Sequence, residues 1–128
     1  LDLNVRSLFC TTRAALPALL RSPSGLLAAF SAAPAWHGVG PQMALYAASK
    51  SAATTFLRSL DAELRDTALK VVITYPMGAI DTPTNRADMP GADPATWIDP
   101  AQIARALVFA AGQSPQGRLT DLPIHPPR

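Results

Sequence analysis

A single cysteine, Cys10, is the first constraint on this chain of 128 residues. It leaves no internal disulfide and no cysteine-based zinc cluster to build, and it fits a reducing, cytoplasmic compartment. Its place in a helical pattern marks it as a small core residue. Lysine is almost as scarce, with Lys50 and Lys70 set against nine scattered arginines. A net charge of +2 without a basic run or interleaved aromatics carries no electrostatic footprint for nucleic acid. No apolar run approaches the ~20 residues of a membrane span. The two histidines, His37 and His125, are far apart with no acidic cluster nearby, so no metal site is expected. Closely spaced glycines are missing as well. Gly38-Val-Gly40 is the only G-x-G, Met43 stands where a third glycine would be needed, and no strand immediately precedes it. The glycine-rich strand-to-helix turn that cradles phosphates is therefore absent.

What is present is a regular alternation. Leu1, Val5, Leu8, Thr12, Ala15 and Leu19 recur at steps of four and three, which predicts a helix over 1–21 with Pro17 bending its last turns. The turn Ser22–Gly25 leads into the apolar run Gly25–Ala32, which reads as a strand covered on both faces. A Gly- and Pro-rich loop is expected over 33–42. A second long helix follows over 43–66, with Tyr46, Lys50, Ala53, Leu57, Leu60 and Leu64 on one face. Leu69–Pro76 is β-branched and bounded by Pro, the clearest strand. A long loop over 77–99, with room for a short helical turn, precedes a helix that Asp99 caps, Pro100 opens and Gly112 ends. Gly117–His125 is a weaker last strand. The order helix, strand, helix, strand, helix, strand predicts an α/β fold with parallel strands and helical crossovers. It is read as a single partial domain over 1–128.

In such a sheet, ligands bind beyond the carboxyl ends of the strands. The polar residues suited to chemistry fall on that rim: Ser31 after the first strand, Tyr46 and Lys50 at the start of the next helix, Thr82 after the second strand, and Asn4 near the start of the first helix. Tyr46 and Lys50 stand four apart and so share a helix face, with Cβ atoms about 5–6 Å apart. An ammonium beside a phenol favours the phenolate. A phenol so placed can give a proton to a carbonyl oxygen or take one from an alcohol.

Taken together, these stretches resemble the catalytic half of the short-chain dehydrogenase/reductases. Tyr46 to Ala52, YAASKSA, resembles the family's Y-x-x-x-K helix. Residues 1–20 resemble the helix that carries its active-site Asn and a late Pro. GLLAAFS resembles the strand ending in its catalytic Ser, and VVITYPMGAIDT the strand and loop that touch the nicotinamide. Ile80 to Trp97 is similar to the matching loop of dihydropteridine reductases.

The resemblance implies the C-terminal half of a Rossmann-type doubly wound sheet and NAD or NADP as cofactor. It implies Tyr46 as general acid/base and as a cofactor-binding residue, and Lys50 as its tuning cation and ligand of the nicotinamide ribose. Ser31 would hydrogen-bond the substrate oxygen, and Asn4 would hold a relay water. Pro76, Ile80 and Thr82 would flank the nicotinamide and pyrophosphate. Ser31 stands fifteen residues before Tyr46, whereas Ala33 stands at the family's usual offset of thirteen.

The expected function is hydride transfer to or from a small carbonyl, alcohol or pterin-like substrate. The chain itself is read as a fragment inactive alone, assembling as a homo-oligomer through its two long helices. A non-catalytic oligomerisation module with a vestigial site is the competing reading.

Overall fold

The structure, a computed structural model, describes residues 2–128; the expected helix start at Leu1 lies outside them. The first turn, Asp2–Arg6, is wound as a π-helix and runs directly into α1, Ser7–Arg21. Gly25 then lets the chain pass close to the end of α1, where a Cβ would stand 2.6 Å from the Leu19 carbonyl oxygen. Three strands follow in alternation with helices: β1 (Leu26–Phe30), β2 (Lys70–Pro76) and β3 (Asp121–Ile124). They pair in parallel in the order β1-β2-β3, with Ala28 opposite Val72 and Thr74 opposite Leu122. The long helix α3 spans Ala44–Glu63 and the capped helix α5 spans Pro100–Ala111. The predicted α/β alternation is thus the observed one.

Period-two alternation in β2 divides the layers. Val71, Ile73 and Tyr75 pack with Leu57 of α3 into the core, with Leu8 of α1 against them. On the other face lie Lys70, Val72 and Thr74, and the Lys70 ammonium donates to Ala111 and Gln113 carbonyls at the end of α5. Leu57 and Tyr75 are fully buried. Val71 to Tyr75 are all buried, with β1 paired to Lys70–Thr74 on one edge and β3 to Ile73–Pro76 on the other.

The sequence-based expectation needs correction in several places. β1 is not covered on both faces: its residues are mostly half-buried and Phe30 is 50% exposed. Among the described strands it has one neighbour, β2, and lateral pairing is what shields a strand's backbone and flanking side chains. The expected loop over 33–42 holds a short helix, α2, at Ala33–His37. Proline sits in its first turn, where the lost N–H costs nothing, and Gly38 closes it at φ 71°. The long loop after β2 holds α4 (Pro83–Asp88), capped by Thr82, and a 3-10 turn at Pro94–Thr96, capped by Asp93. Cys10 is exposed on α1, not in the core; it falls between Leu8 and Thr12 in sequence but off their helix face.

Candidate active site

The carboxyl ends of β1 and β2 open onto one cavity of about 590 Å³. Ser31, Tyr46, Lys50, Pro76 and Ile80 all line it, so five of the seven residues singled out in the sequence meet there. α3 explains how Tyr46 and Lys50 arrive together. Its first turn starts just past the sheet edge, and the Lys50 Nζ lies 5.9 Å from the centre of the Tyr46 ring. The same Nζ donates to the Phe30 carbonyl at the end of β1, at 3.1 Å. Burial pushes the Lys50 ammonium below the usual lysine range. Tyr46 is 44% exposed. The fold uses its backbone carbonyl, which accepts from Ser49 Oγ at 2.8 Å.

Ser31 is at the cavity wall but its hydroxyl is engaged elsewhere. It lies 2.7 Å from Thr54 Oγ1 of α3, and the residue is 5% exposed. Asn4 and Thr82 do not line the cavity. Asn4 sits in the π-helical turn and donates through Nδ2 to Ser49 Oγ at 3.0 Å, one residue before Lys50. Thr82 caps α4, its Oγ1 accepting from the Asn85 N–H at 3.2 Å. The glycines of Gly38-Val-Gly40 serve packing: Gly38 ends α2, and a Cβ on Gly40 would stand 3.0 Å from that of Ala47 and 3.1 Å from that of Pro34.

Two cavity residues were underweighted by the sequence. Asn85, which falls in the long loop after β2, lines the cavity and donates through Nδ2 to the Ile80 carbonyl at 2.8 Å. Its spacing of three from the capping Thr82 was the available signal. His37, at the end of α2, lines the rim. Trp36 beside it packs edge-on against Tyr75, with centroids 5.0 Å apart.

Tyr75 itself was read only as a strand residue. Its hydroxyl donates to Asp121 Oδ1 at 2.7 Å, and the Arg58 Nη2 lies 3.2 Å from that hydroxyl and 3.1 Å from Oδ1. Burial and the Asp121 carboxylate push the Tyr75 phenol up to about 12, so it remains a neutral donor. Burial alone would raise the Asp121 carboxyl, but hydrogen bonds from Tyr75, Arg58 and Thr120 together hold it below the usual range. This group ties α3 to β3 beneath the site. No local sequence pattern announces it, because Tyr75 and Asp121 are 46 residues apart.

The carboxyl edge of the parallel sheet thus gathers Tyr46, Lys50 and the loop after β2. The family model described as short chain dehydrogenase matches residues 1–92. The chain belongs to the short-chain dehydrogenase family. An uncharacterized oxidoreductase of Staphylococcus haemolyticus is 31% identical over 126 residues, which is 98% of this chain and 52% of the relative. The crystal structure of a short-chain dehydrogenase from Salmonella enterica serovar Typhi superposes with a TM-score of 0.78 at 29% identity, covering 94% of this chain and 49% of that one. An Escherichia coli short-chain dehydrogenase crystallised with NADPH is 30% identical, with a TM-score of 0.77 over 94% of this chain and 49% of that one. The chain thus spans about half the length of the relatives it matches. Its three parallel strands alternating with helices are part of the Rossmann-type sheet of this oxidoreductase family. Among the described residues no helix is long and apolar enough to cross a membrane, and no cluster of His, Cys, Asp and Glu is arranged to hold a metal.

Proposed function

We propose that this chain supplies the acid/base side of a nicotinamide-dependent oxidoreductase, transferring hydride between NADP or NAD and a carbonyl, alcohol or pterin-like substrate. The single observation that carries the reading is the meeting of Tyr46 and Lys50 with Pro76 and Ile80 in one cavity at the carboxyl edge of a parallel sheet. The residues present fit the nicotinamide end of such a cofactor. Lys50 uses one of its three donors on the Phe30 carbonyl, which leaves others for the hydroxyls of a ribose. Pro76 and Ile80 offer apolar wall to a flat ring. The bound nicotinamide supplies or accepts the hydride.

The chain's own residues handle the proton. In the reducing direction Tyr46 donates its phenolic hydrogen to the substrate oxygen as charge develops there, and in the oxidising direction it takes that hydrogen back. Lys50 steadies the resulting phenolate by its charge across the 5.9 Å that separates Nζ from the ring centre. Asn4 acts one layer out: its bond to Ser49 fixes the turn of α3 that carries Lys50, and it is suited to hold a water on the route by which the proton is restored. Ser31 faces the cavity with its hydroxyl already paired to Thr54, so it serves the site as wall and acceptor. Thr82 fixes the start of α4 beside the position proposed for the cofactor.

The test is Lys50→Met in the whole protein. A hydrogen bond to a charged group contributes roughly 1.5–3 kcal/mol, so calorimetry should find NADPH or NADH bound about 10- to 100-fold more weakly. Unchanged affinity for both would remove Lys50 from the cofactor site.

Assembly as a homo-oligomer is part of the same reading. Phe9 and Leu20 of α1 are 46% and 42% exposed, and with Leu16 and Phe56 they line an apolar groove between α1 and α3. Sedimentation equilibrium of the whole protein is expected to give a mass of two or more chains, and a monomer at micromolar concentration contradicts it. Assembly without any reductase activity would favour the non-catalytic module instead.

A further inference from the structure

One wall of the cavity stands on a very short helix. Ala33, Pro34 and His37 of α2 line it. Five residues are too few for a helix to hold itself in water. The backbone gives little help: Ala35 and Trp36 donate to the Ala32 carbonyl and Val39 to that of Pro34, so these bonds close within the segment. Side-chain packing must therefore seat α2. Trp36, which does not line the cavity, packs edge-on against Tyr75 of β2, with the rings at 66°.

Tyr75 is a firm seat because its far end is held. The residue is fully buried, and its hydroxyl donates to Asp121 Oδ1 of β3 at 2.7 Å. Arg58 Nη2 of α3 reaches both the hydroxyl and that oxygen. A hydrogen bond accepted by a carboxylate is stronger than a neutral one. Arg58 and Asp121 line a separate cavity of about 180 Å³ that shares no residue with the first. Asp121 is thus outside the cavity of Tyr46, yet two contacts, one at the phenol and one at the ring edge, connect it to α2.

We propose that Asp121 is a positioning residue for the cavity: by holding the Tyr75 hydroxyl it fixes the ring that seats Trp36, and with it the wall that Ala33, Pro34 and His37 form. This rests on reading the cavity as the place where substrate lies. Tyr46 and Lys50 stand on α3, whose bonds to Asn4 and to the Phe30 carbonyl do not pass through Tyr75. Loosening the wall therefore alters how substrate is held and leaves the proton-handling groups in place.

The test compares Asp121→Ala, Trp36→Leu and the double variant in the whole protein by hydrogen–deuterium exchange with mass spectrometry. Each single change should speed exchange of residues 35–39 by about 2- to 10-fold, the worth of an aromatic pair, while residues 47–57 of α3 keep their rate. The double variant should exchange no faster than Trp36→Leu alone, because Asp121 acts through that ring. With benzylacetone as acceptor, KM should rise by the same factor, with kcat and the affinity for NADPH or NADH within about 2-fold of the wild type. Additive effects, a uniform rise over both segments, an unchanged rate at 35–39, or faster exchange with an unchanged KM overturns the proposal. Should Asp121→Ala not fold, Asp121→Asn, which removes the charge and keeps the shape, is read in the same way. A wild-type protein that never reduces a carbonyl would sink the proposed activity, and the exchange rates would still decide whether Asp121 seats α2.

Discussion

Tyr46→Phe in the whole protein should lower kcat for carbonyl reduction by about 10²- to 10⁴-fold, the range typical of losing a positioned general acid. Affinity for NADPH or NADH should change little, because the change removes one oxygen and keeps the ring beside Lys50. The fold should be unaffected. Tyr46 is part-exposed at the start of α3, and the hydrogen bond from Ser49 is accepted by its backbone carbonyl, which phenylalanine keeps. Steady-state kinetics with a matched circular dichroism melt separates the two effects. A variant that melts normally and keeps more than a tenth of its activity would mean that another group delivers the proton. His37 would then be the first alternative, since it shares the cavity.

The largest stability effect should come from Leu57→Ala. Leu57 is 1% exposed at the centre of the α3–β2 contact, packed with Val71, Ile73 and Tyr75. Removing a buried leucine's branched end loses its transfer free energy and leaves a cavity, together costing roughly 2–5 kcal/mol. The neighbours are poorly placed to collapse. Val71 and Ile73 are held in the parallel ladders, and Tyr75 is fixed by Asp121 and Arg58. The upper half of that range is therefore expected, read as a lowered denaturant midpoint at unchanged slope. A loss below about 1 kcal/mol would show that α3 can settle onto the sheet and that this contact is not the centre of the core.

Much of the layer order was legible in the chain because it rests on local, repeated signals. The steps of four and three in α3 and the β-branched run of β2 each span several residues, and Asp99-Pro100 marks the start of α5 by capping chemistry alone. α2 escaped because five residues are too few for a helical period, and its proline and glycine were read as loop punctuation although they sit where a short helix wants them. Cys10 was assigned by its neighbourhood and not by its own position on the helix wheel.

The site divides in the same way. Tyr46 and Lys50 were legible because four residues on one helix fix their relative position. Ser31 could be placed on the rim but its hydroxyl could not be aimed, since the partner that claims it, Thr54, lies 23 residues away on another element. Asn4 and Thr82 were sent to the same edge, yet their side chains turn to Ser49 and Asn85 and neither lines the cavity. Rim placement follows from topology, whereas side-chain direction follows from packing between distant segments.

The proposed reaction passes hydride between a nicotinamide and a carbonyl carbon in a cavity where Tyr46 handles the proton. Its most direct test gives the whole protein NADPH or NADH deuterated at the transferable position of the nicotinamide, with benzylacetone as acceptor, and locates the label in the product by mass spectrometry and NMR. Deuterium on the carbinol carbon with the wild-type protein, and at least about 10²-fold less of it per unit time with Tyr46→Phe, is the expected result. Unlabelled product, or label delivered equally fast by both proteins, would contradict it.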